Sequence, residues 1–354
     1  MKKIIALGCL CAIIVMWACN GGNRKNQIAT SFGNISEDSV QKLAHAFFKA
    51  LPATADNVDN PITDDKVELG KMLYYDTRLS AKGNKSCNSC HDLQSFGVDN
   101  QRTSIGDNGK KGNRNSPTVF NAALHNMQFW DGRAKDVEEQ AGMPILNSIE
   151  MGIPHKGVLV QRLAKVGRYQ QLFAAAFPGE KTPLNYANLE KAIAAFERTL
   201  LTPSRFDTYM NGETTALTPE EKAGLVTFIK SGCSNCHNGV GIGGAQMQRF
   251  GLVTDYRTLT GSTIKDEGKL AITHKASDKD VFKVPGLRNI IGTYPYFHDG
   301  SIVQLDSAVK IMGKAQLNKE LTREDVNRVM AFLSSLTGDI KPSAKNIPPE
   351  LVKN

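Results

Sequence analysis

The stretch Cys87-Asn88-Ser89-Cys90-His91 decides how the rest of the chain is read, and it returns as Cys233-Ser234-Asn235-Cys236-His237. Two thiols at this spacing, followed at once by an imidazole, suit the covalent attachment of a c-type haem. The thiols add to two vinyl groups of one porphyrin, and the histidine ligates its iron from one face. A redox-active dithiol needs no histidine in that position. A zinc site would need further ligands close by, and neither stretch offers them. Two copies therefore predict two haem c groups, one held by Cys87, Cys90 and His91, the other by Cys233, Cys236 and His237.

The motifs lie 146 residues apart in a chain of 354, which leaves room for two domains. Val67, Leu69, Met72 and Leu73 have helical spacing and lead to a turn at Gly83. From His91 to Asn115 the chain is rich in Gly, Asn and Lys, and reads as a long loop over one haem face. Leu189, Ile193, Phe196 and Leu200 predict a helix that stops before Pro203. Thr218-Pro219-Glu220-Glu221 has the form of a helix start, with Leu225, Phe228 and Ile229 as the buried face behind Cys233. Asn238 to Gly244 reads as a glycine-rich turn. Val326, Val329, Met330, Leu333 and Leu336 predict a last helix before Gly338. No strand alternation stands out, so the fold class is mainly α: two c-type cytochrome domains, each with one haem. The expected divisions are 37–208 and 209–338, with Tyr209 to Leu217 as the passage between them. A tail over 339–354 packs on the first domain or hangs free.

The N-terminus reads as a targeting segment. Lys2 and Lys3 precede an apolar run from Ile4 to Trp17 and a junction at Ala18-Cys19. This predicts a signal peptide over 1–18, lipid on Cys19 and an anchored linker over 19–36; an ordinary cleaved signal or an uncleaved anchor is the alternative. The seven cysteines fit this pattern: two leave with the signal, one takes the lipid and four take haems. The expected location is periplasmic, at a membrane surface. The formal charge of +8 falls to +6 without Lys2 and Lys3. Its basic residues are scattered, which excludes a nucleic-acid-binding footprint.

Between the haem motifs lies RNSPTVFNAALHNMQFWDGRAKDVEEQAGMPILNSIEMG, residues 114–152, preceded by SIG at 104–106 and followed far downstream by PYFHDG at 295–300. These motifs resemble the bacterial di-haem cytochrome c peroxidase family, over about residues 62 to 338. Taken alone, Glu150 and Gln140 would read as solvated surface groups, and Trp130 as a core aromatic. The resemblance implies that Glu150 moves protons during peroxide cleavage, that Gln140 hydrogen-bonds the bound peroxide or water, and that Trp130 passes electrons between haems. It implies Met312 as the second axial ligand opposite His237, with Met247 and Met330 left to packing. It places His298 near the haem propionates and a mobile contact between domains. On charge alone, Arg133 is a candidate to pair with a propionate. It also implies a calcium ion at the domain interface, held by the Asn115 side chain and the Thr293 and Pro295 carbonyls. The implied partners are hydrogen peroxide and a small cytochrome c or cupredoxin donor; a homodimer is a further family expectation.

One position departs from the pattern. Many family members carry a histidine after SIG that caps the peroxidatic iron until the other haem is reduced. Here that position is Asp107, a poor neutral iron ligand. The expectation is a haem 1 already open to peroxide, unless His125 or His155 reaches in, or the loop aligns differently. Two rival functions remain at this stage. One is a di-haem enzyme of the methylamine-utilisation type, which has a tyrosine at the Met312 position. The other is a tethered electron carrier without catalysis, which would have no use for Glu150.

Overall fold

A computed structural model describes residues 27–352. The predicted signal peptide and Cys19 lie outside the described residues. The helices are α1 (Glu37–Phe47), α2 (Asp64–Tyr75), α3 (Val137–Leu146), α4 (Lys156–Ala164), α5 (Gly167–Ala176), α6 (Tyr186–Glu197), α7 (Arg205–Met210), α8 (Pro219–Ser231), α9 (Tyr256–Thr260), α10 (Leu270–Thr273), α11 (Leu305–Leu317), α12 (Arg323–Ser335) and α13 (Pro342–Lys345). Strands β1 (Gln27–Thr30) and β2 (Gly33–Ser36) pair antiparallel, as do β3 (Met247–Arg249) and β4 (Val281–Lys283). The class is mainly α, as the periodicity predicts. Among the described residues no helix is long and apolar enough to cross a membrane.

Each haem motif follows a helix that crosses a partner at a glycine. In the first half α2 packs on α6. A Cβ on Gly70 would lie 1.9 Å from the Ala192 carbonyl oxygen and 2.9 Å from Phe196 Cβ. In the second half α8 packs on α12, and a Cβ on Gly224 would lie 1.9 Å from the Arg328 oxygen and 3.0 Å from Phe332 Cβ. Only glycine lets these backbones approach so closely. Helix α8 starts as predicted: the Thr218 hydroxyl accepts the Glu221 N–H at 3.2 Å, and the Glu221 carboxylate accepts the Thr218 N–H at 2.8 Å. It ends at Gly232, whose φ of 98° turns the chain directly into Cys233.

Two apolar cores result. Leu69, Leu73, Tyr169, Phe173 and Ile193 fill the first. Phe206, Val226, Phe228, Phe332 and Leu333 fill the second. The division differs from the expected boundaries. Ile28, Val40, Ala44 and Phe48 belong to the second core, as do Phe206, Tyr209 and Met210. Residues assigned by sequence to a linker and to the first domain thus cover the second haem domain. The physical reason is burial: α1 lays its apolar face on α8, while strands of four residues are too short to show a period. Tyr209 and Leu217, read as a polar passage, are core residues. The tail packs on the first half, where Tyr75 Oη donates to the Ala344 carbonyl at 2.9 Å and Lys71 Nζ to that of Ser343 at 2.6 Å. Between the halves, Arg114 binds Asp131 at 2.6 Å and Asp266 at 2.7 Å, with both carboxylates buried.

Candidate haem sites

Cys87 and Cys233 each open a single 3-10 turn, and the backbone N–H of His91 and His237 donates to the carbonyl of the first cysteine at 3.0 Å. His91 Nδ1 lies 3.0 Å from the Pro117 carbonyl, and His237 Nδ1 lies 3.2 Å from that of Pro285. A carbonyl only accepts, so Nδ1 carries the proton in both rings and Nε2 keeps its lone pair for a metal. Burial lowers the proton affinity of both imidazoles, His237 to about 4. Neutral rings of fixed orientation are what iron ligation needs.

The repeat extends further than the haem motifs. Pro117, Asn121, Phe129, Trp130, Asp131 and Gly132 recur 168 residues later as Pro285, Asn289, Phe297, His298, Asp299 and Gly300. Asn121 and Asn289 both have φ 61°; Phe129 and Phe297 are left-handed at 64° and 72°. Asn121 Nδ2 and Asn289 Nδ2 donate to the one hydroxyl of Thr202, at 2.8 and 2.9 Å. Their Oδ1 atoms accept from Thr202 N and Gly338 N, at 3.0 and 2.9 Å. Trp130 and His298 thus hold equivalent places, their rings 6.3 Å apart and edge to face. Across the same axis Asn115 N donates to the His298 carbonyl, and Lys283 N to that of Trp130, each at 2.7 Å.

Two cavities open on either side of Trp130, with about 1490 and 1800 Å³ of space between atoms, counting the parts open to solvent. The first holds Cys87, Cys90 and His91 together with Gln140, Asn147, Glu150, Arg133 and Glu197. The second holds Cys233, Cys236 and His237 together with Met312, Leu333, His298, Lys283 and His125. Trp130 and Asn115 line both. These cavities fit a haem each: paired thiols, one oriented imidazole and space beyond it.

In the first cavity Asn147 Nδ2 donates to Glu150 Oε1 at 2.8 Å, and no hydrogen bond within the described residues engages Oε2. Burial raises the proton affinity of Glu150, against the Arg133 charge and the Asn147 hydrogen bond. Asn147 escaped sequence reading, although its position three residues before Glu150 was a usable signal. The Gln140 side chain, on α3, makes no hydrogen bond within the described residues. Arg133 stacks on Phe129, 3.5 Å from the ring centroid, and its NH1 binds Asp131 at 2.9 Å.

Asp107 does not line the first cavity. Its carboxylate accepts the Lys82 N–H at 3.1 Å from both oxygens, and its own N–H donates to the Glu150 carbonyl at 2.7 Å. His125 does not line it either, but belongs to the second cavity; His155 precedes α4 and lines neither. Met312, on α11, lines the second cavity. Met247 lies with Met127 around Gly132, and Met330 lines neither cavity. His298 is buried, stacked on Phe282 with centroids 4.1 Å apart. Asn115, Thr293 and Pro295 all line the second cavity. Asn115 Nδ2 donates to the Gln101 carbonyl at 2.9 Å, which turns Oδ1 the other way.

A family profile described as di-haem cytochrome c peroxidase matches residues 64–215, and one described as cytochrome c matches 221–337. Cytochrome c551 peroxidase of Pseudomonas aeruginosa is 45% identical over 305 residues, covering 85% of this chain and 87% of the relative. The methylamine utilization protein MauG of Methylorubrum extorquens is 29% identical, covering 95% and 97%. Among solved structures, a MauG-like protein associated with microbial copper homeostasis superposes with a TM-score of 0.74 at 30% identity, covering 85% of this chain and 97% of that one.

Proposed function

We propose, from the premise that this chain belongs to the di-haem cytochrome c peroxidase family, a division of labour between its two cavities. The enzyme reduces hydrogen peroxide to two waters with two electrons and two protons. The observation that carries the division is Trp130, whose indole borders the cavity of Glu150 on one side and that of Met312 on the other.

When bound, haem supplies iron that takes peroxide in one cavity and exchanges single electrons in the other. Everything else falls to the chain. His91 and His237 are held by proline carbonyls so that Nε2 faces the metal. Met312, which lines the cavity of His237, would supply a thioether to the iron held there, and a thioether favours the reduced state of an electron-accepting centre. Glu150 moves a proton between the two peroxide oxygens at Oε2, while Asn147 fixes its other oxygen. Burial raises its proton affinity, which makes its carboxylate a better acceptor for the proton it is to move. Gln140 supplies a hydrogen bond to the peroxide. Trp130 is anchored by Nε1 to the Asn115 carbonyl at 2.9 Å, and so serves as a rigid relay.

Asn115 Oδ1 and the Thr293 and Pro295 carbonyls are oxygen ligands of the kind calcium prefers, and a calcium ion held by them would supply a positive charge beside the Trp130 anchor. Asp107, occupied by the Lys82 N–H and outside the first cavity, would offer no ligand to an iron held by His91. The donor is a small cytochrome c or a cupredoxin in the periplasm. Lipid on Cys19 holds the enzyme at a membrane, and two copies associate as a homodimer. The alternative of a partner-oxidising enzyme of the methylamine-utilisation type is disfavoured by Met312, where that type has tyrosine.

The test is peroxide-dependent oxidation of a reduced small cytochrome c by the fully oxidised, calcium-loaded holoprotein, with and without prior one-electron reduction. Equal turnover is expected in both. Turnover only after reduction would show that a ligand other than Asp107 closes the first haem. No turnover in either would leave an electron carrier or a protein-oxidising enzyme.

A further inference from the structure

Lys283 is the residue at which the second cavity departs most from electrostatic balance. It ends β4, is 4% exposed and faces the cavity of Cys233 and His237. A buried ammonium without an anion is strongly disfavoured, yet among the described residues no carboxylate pairs with it. Its one polar side-chain neighbour is His125 Nδ1 at 3.4 Å. An ammonium only donates, so Nδ1 accepts there, and the ring is neutral. No Asp or Glu lines this cavity. The other buried cation on its wall, Arg288, is fully committed to Asp207 through two bonds of 2.8 and 2.9 Å. The nearest carboxylate to act on Lys283 is Asp131, which already serves Arg114 and Arg133. Burial lowers the proton affinity of Lys283 to about 8, and an anion entering with a ligand would restore the balance of charge around it.

His125 is built in with the same care. It comes from the first half and inserts into the second, where Gly241, Gly244 and Gly286 crowd its ring: a Cβ on these would lie 3.2, 2.1 and 2.7 Å away. Three glycines around one imidazole hold it against Lys283. At the place equivalent to Lys283 in the other half stands the neutral Asn115.

We propose that Lys283, oriented by His125, seats a propionate carboxylate of the haem attached to Cys233 and Cys236. This reading rests on that haem being present. Lys283 is then a positioning residue with two attachments: Nζ on the haem carboxylate, and its backbone N–H on the Trp130 carbonyl. The second haem and the indole are registered through one residue. The ammonium also places a positive charge beside this haem alone, and so favours its reduced state over that of the haem at Cys87.

Two measurements on the holoprotein decide the matter. A crystal structure of the wild type with both haems is expected to show Lys283 Nζ within hydrogen-bond distance of a propionate oxygen; propionates turned away from Lys283 would overturn the proposal. Spectroelectrochemistry of Lys283→Met is expected to shift the second haem's reduction equilibrium toward the ferric form about tenfold, which is about 59 mV for one electron. Lys283→Arg should restore most of it, and the first haem should stay within a small fraction of its original value. An unchanged second-haem potential in Lys283→Met with both haems attached would also overturn it. If Lys283→Met fails to retain two haems, His125→Gln read against the wild-type structure serves in its place. The family function itself is judged separately, by peroxide turnover of the wild type.

Discussion

Phe196 and Phe332 occupy the same place in their respective halves, each against a helix glycine, but the next residue is Glu197 in one and Leu333 in the other. The same comparison pairs Trp130 with His298 and Asn115 with Lys283. Scaffold positions agree: the glycines at the helix crossings, the asparagines on Thr202, the prolines that orient the axial histidines. The departures all face a cavity. The first cavity carries Glu150, Gln140 and Asn147, a polar set suited to protons. The second carries Met312 and Leu333, with Lys283 as its one uncompensated cation among the described residues. The repeated frame agrees where it builds the scaffold around each haem motif and differs where it lines a cavity.

The largest effect should come from erasing the polar side of this contrast. Glu150→Gln keeps shape and hydrogen bonding with Asn147 but removes the transferable proton. Peroxide turnover is expected to fall about 10²–10⁴-fold, with both haems attached and the second-haem potential unchanged. Turnover above a tenth of wild type would show that another group carries the proton. Asn147→Ala, which frees Oε1, should give a smaller loss and raise the pH at which activity declines, because a hydrogen bond to the charged form is gone.

Next come the shared parts. Gly70→Ala and Gly224→Ala each place a methyl inside a carbonyl contact, and overpacking of this kind costs about 1–3 kcal/mol. Denaturant unfolding followed at each haem should show which half yields. Gly224→Ala is expected to loosen Met312 ligation first, and Gly70→Ala to disturb the first haem first. Identical losses at both haems from either substitution would mean that the halves unfold as one unit, through Thr202 and the Arg114 bridges.

Much of this contrast is legible in the chain itself. The haem motifs, the capping of α8 and the helices ending near Pro203 and Gly338 follow from local rules of spacing and capping. Glu150, Gln140, Trp130 and Met312 are singled out by likeness to a family alone, and each lines one or both cavities. What stayed hidden depends on distance in the chain. The haem motifs repeat with an offset of 146 residues and the Pro-Asn-Phe-x-Asp-Gly pattern with one of 168, so no single shift aligns both. Ile28 and Val40 cover a core built almost two hundred residues later, which no local period reveals. The role of Asp107 depends on Lys82, whose N–H it meets only in the folded loop. Lys283 reads as one lysine among many until its surroundings prove to lack a carboxylate.

The last test of the comparison falls at Glu197. This carboxyl is 6% exposed, lines the first cavity, and makes no hydrogen bond or ion pair within the described residues. Burial, and then the charge of Glu138, push its proton affinity up to about 8, with Arg198 opposing. Glu138 stays charged because Arg198, Asn57 and Asn60 donate to it, holding it down to about 2. A carboxyl whose affinity is higher in the folded than in the unfolded chain adds stability in acid. That contribution is lost as pH rises from about 4.5 to about 8. Each tenfold displacement of affinity is worth about 1.4 kcal/mol. Glu197→Gln should therefore flatten the decline in melting temperature across that interval, with little change at pH 5. Glu197→Leu, which copies Leu333, should flatten it equally and still attach haem at Cys87 and Cys90. Parallel pH profiles for all three proteins would mean that Glu197 finds a partner once the haem is in place, and the two cavities would then be more alike than their linings suggest.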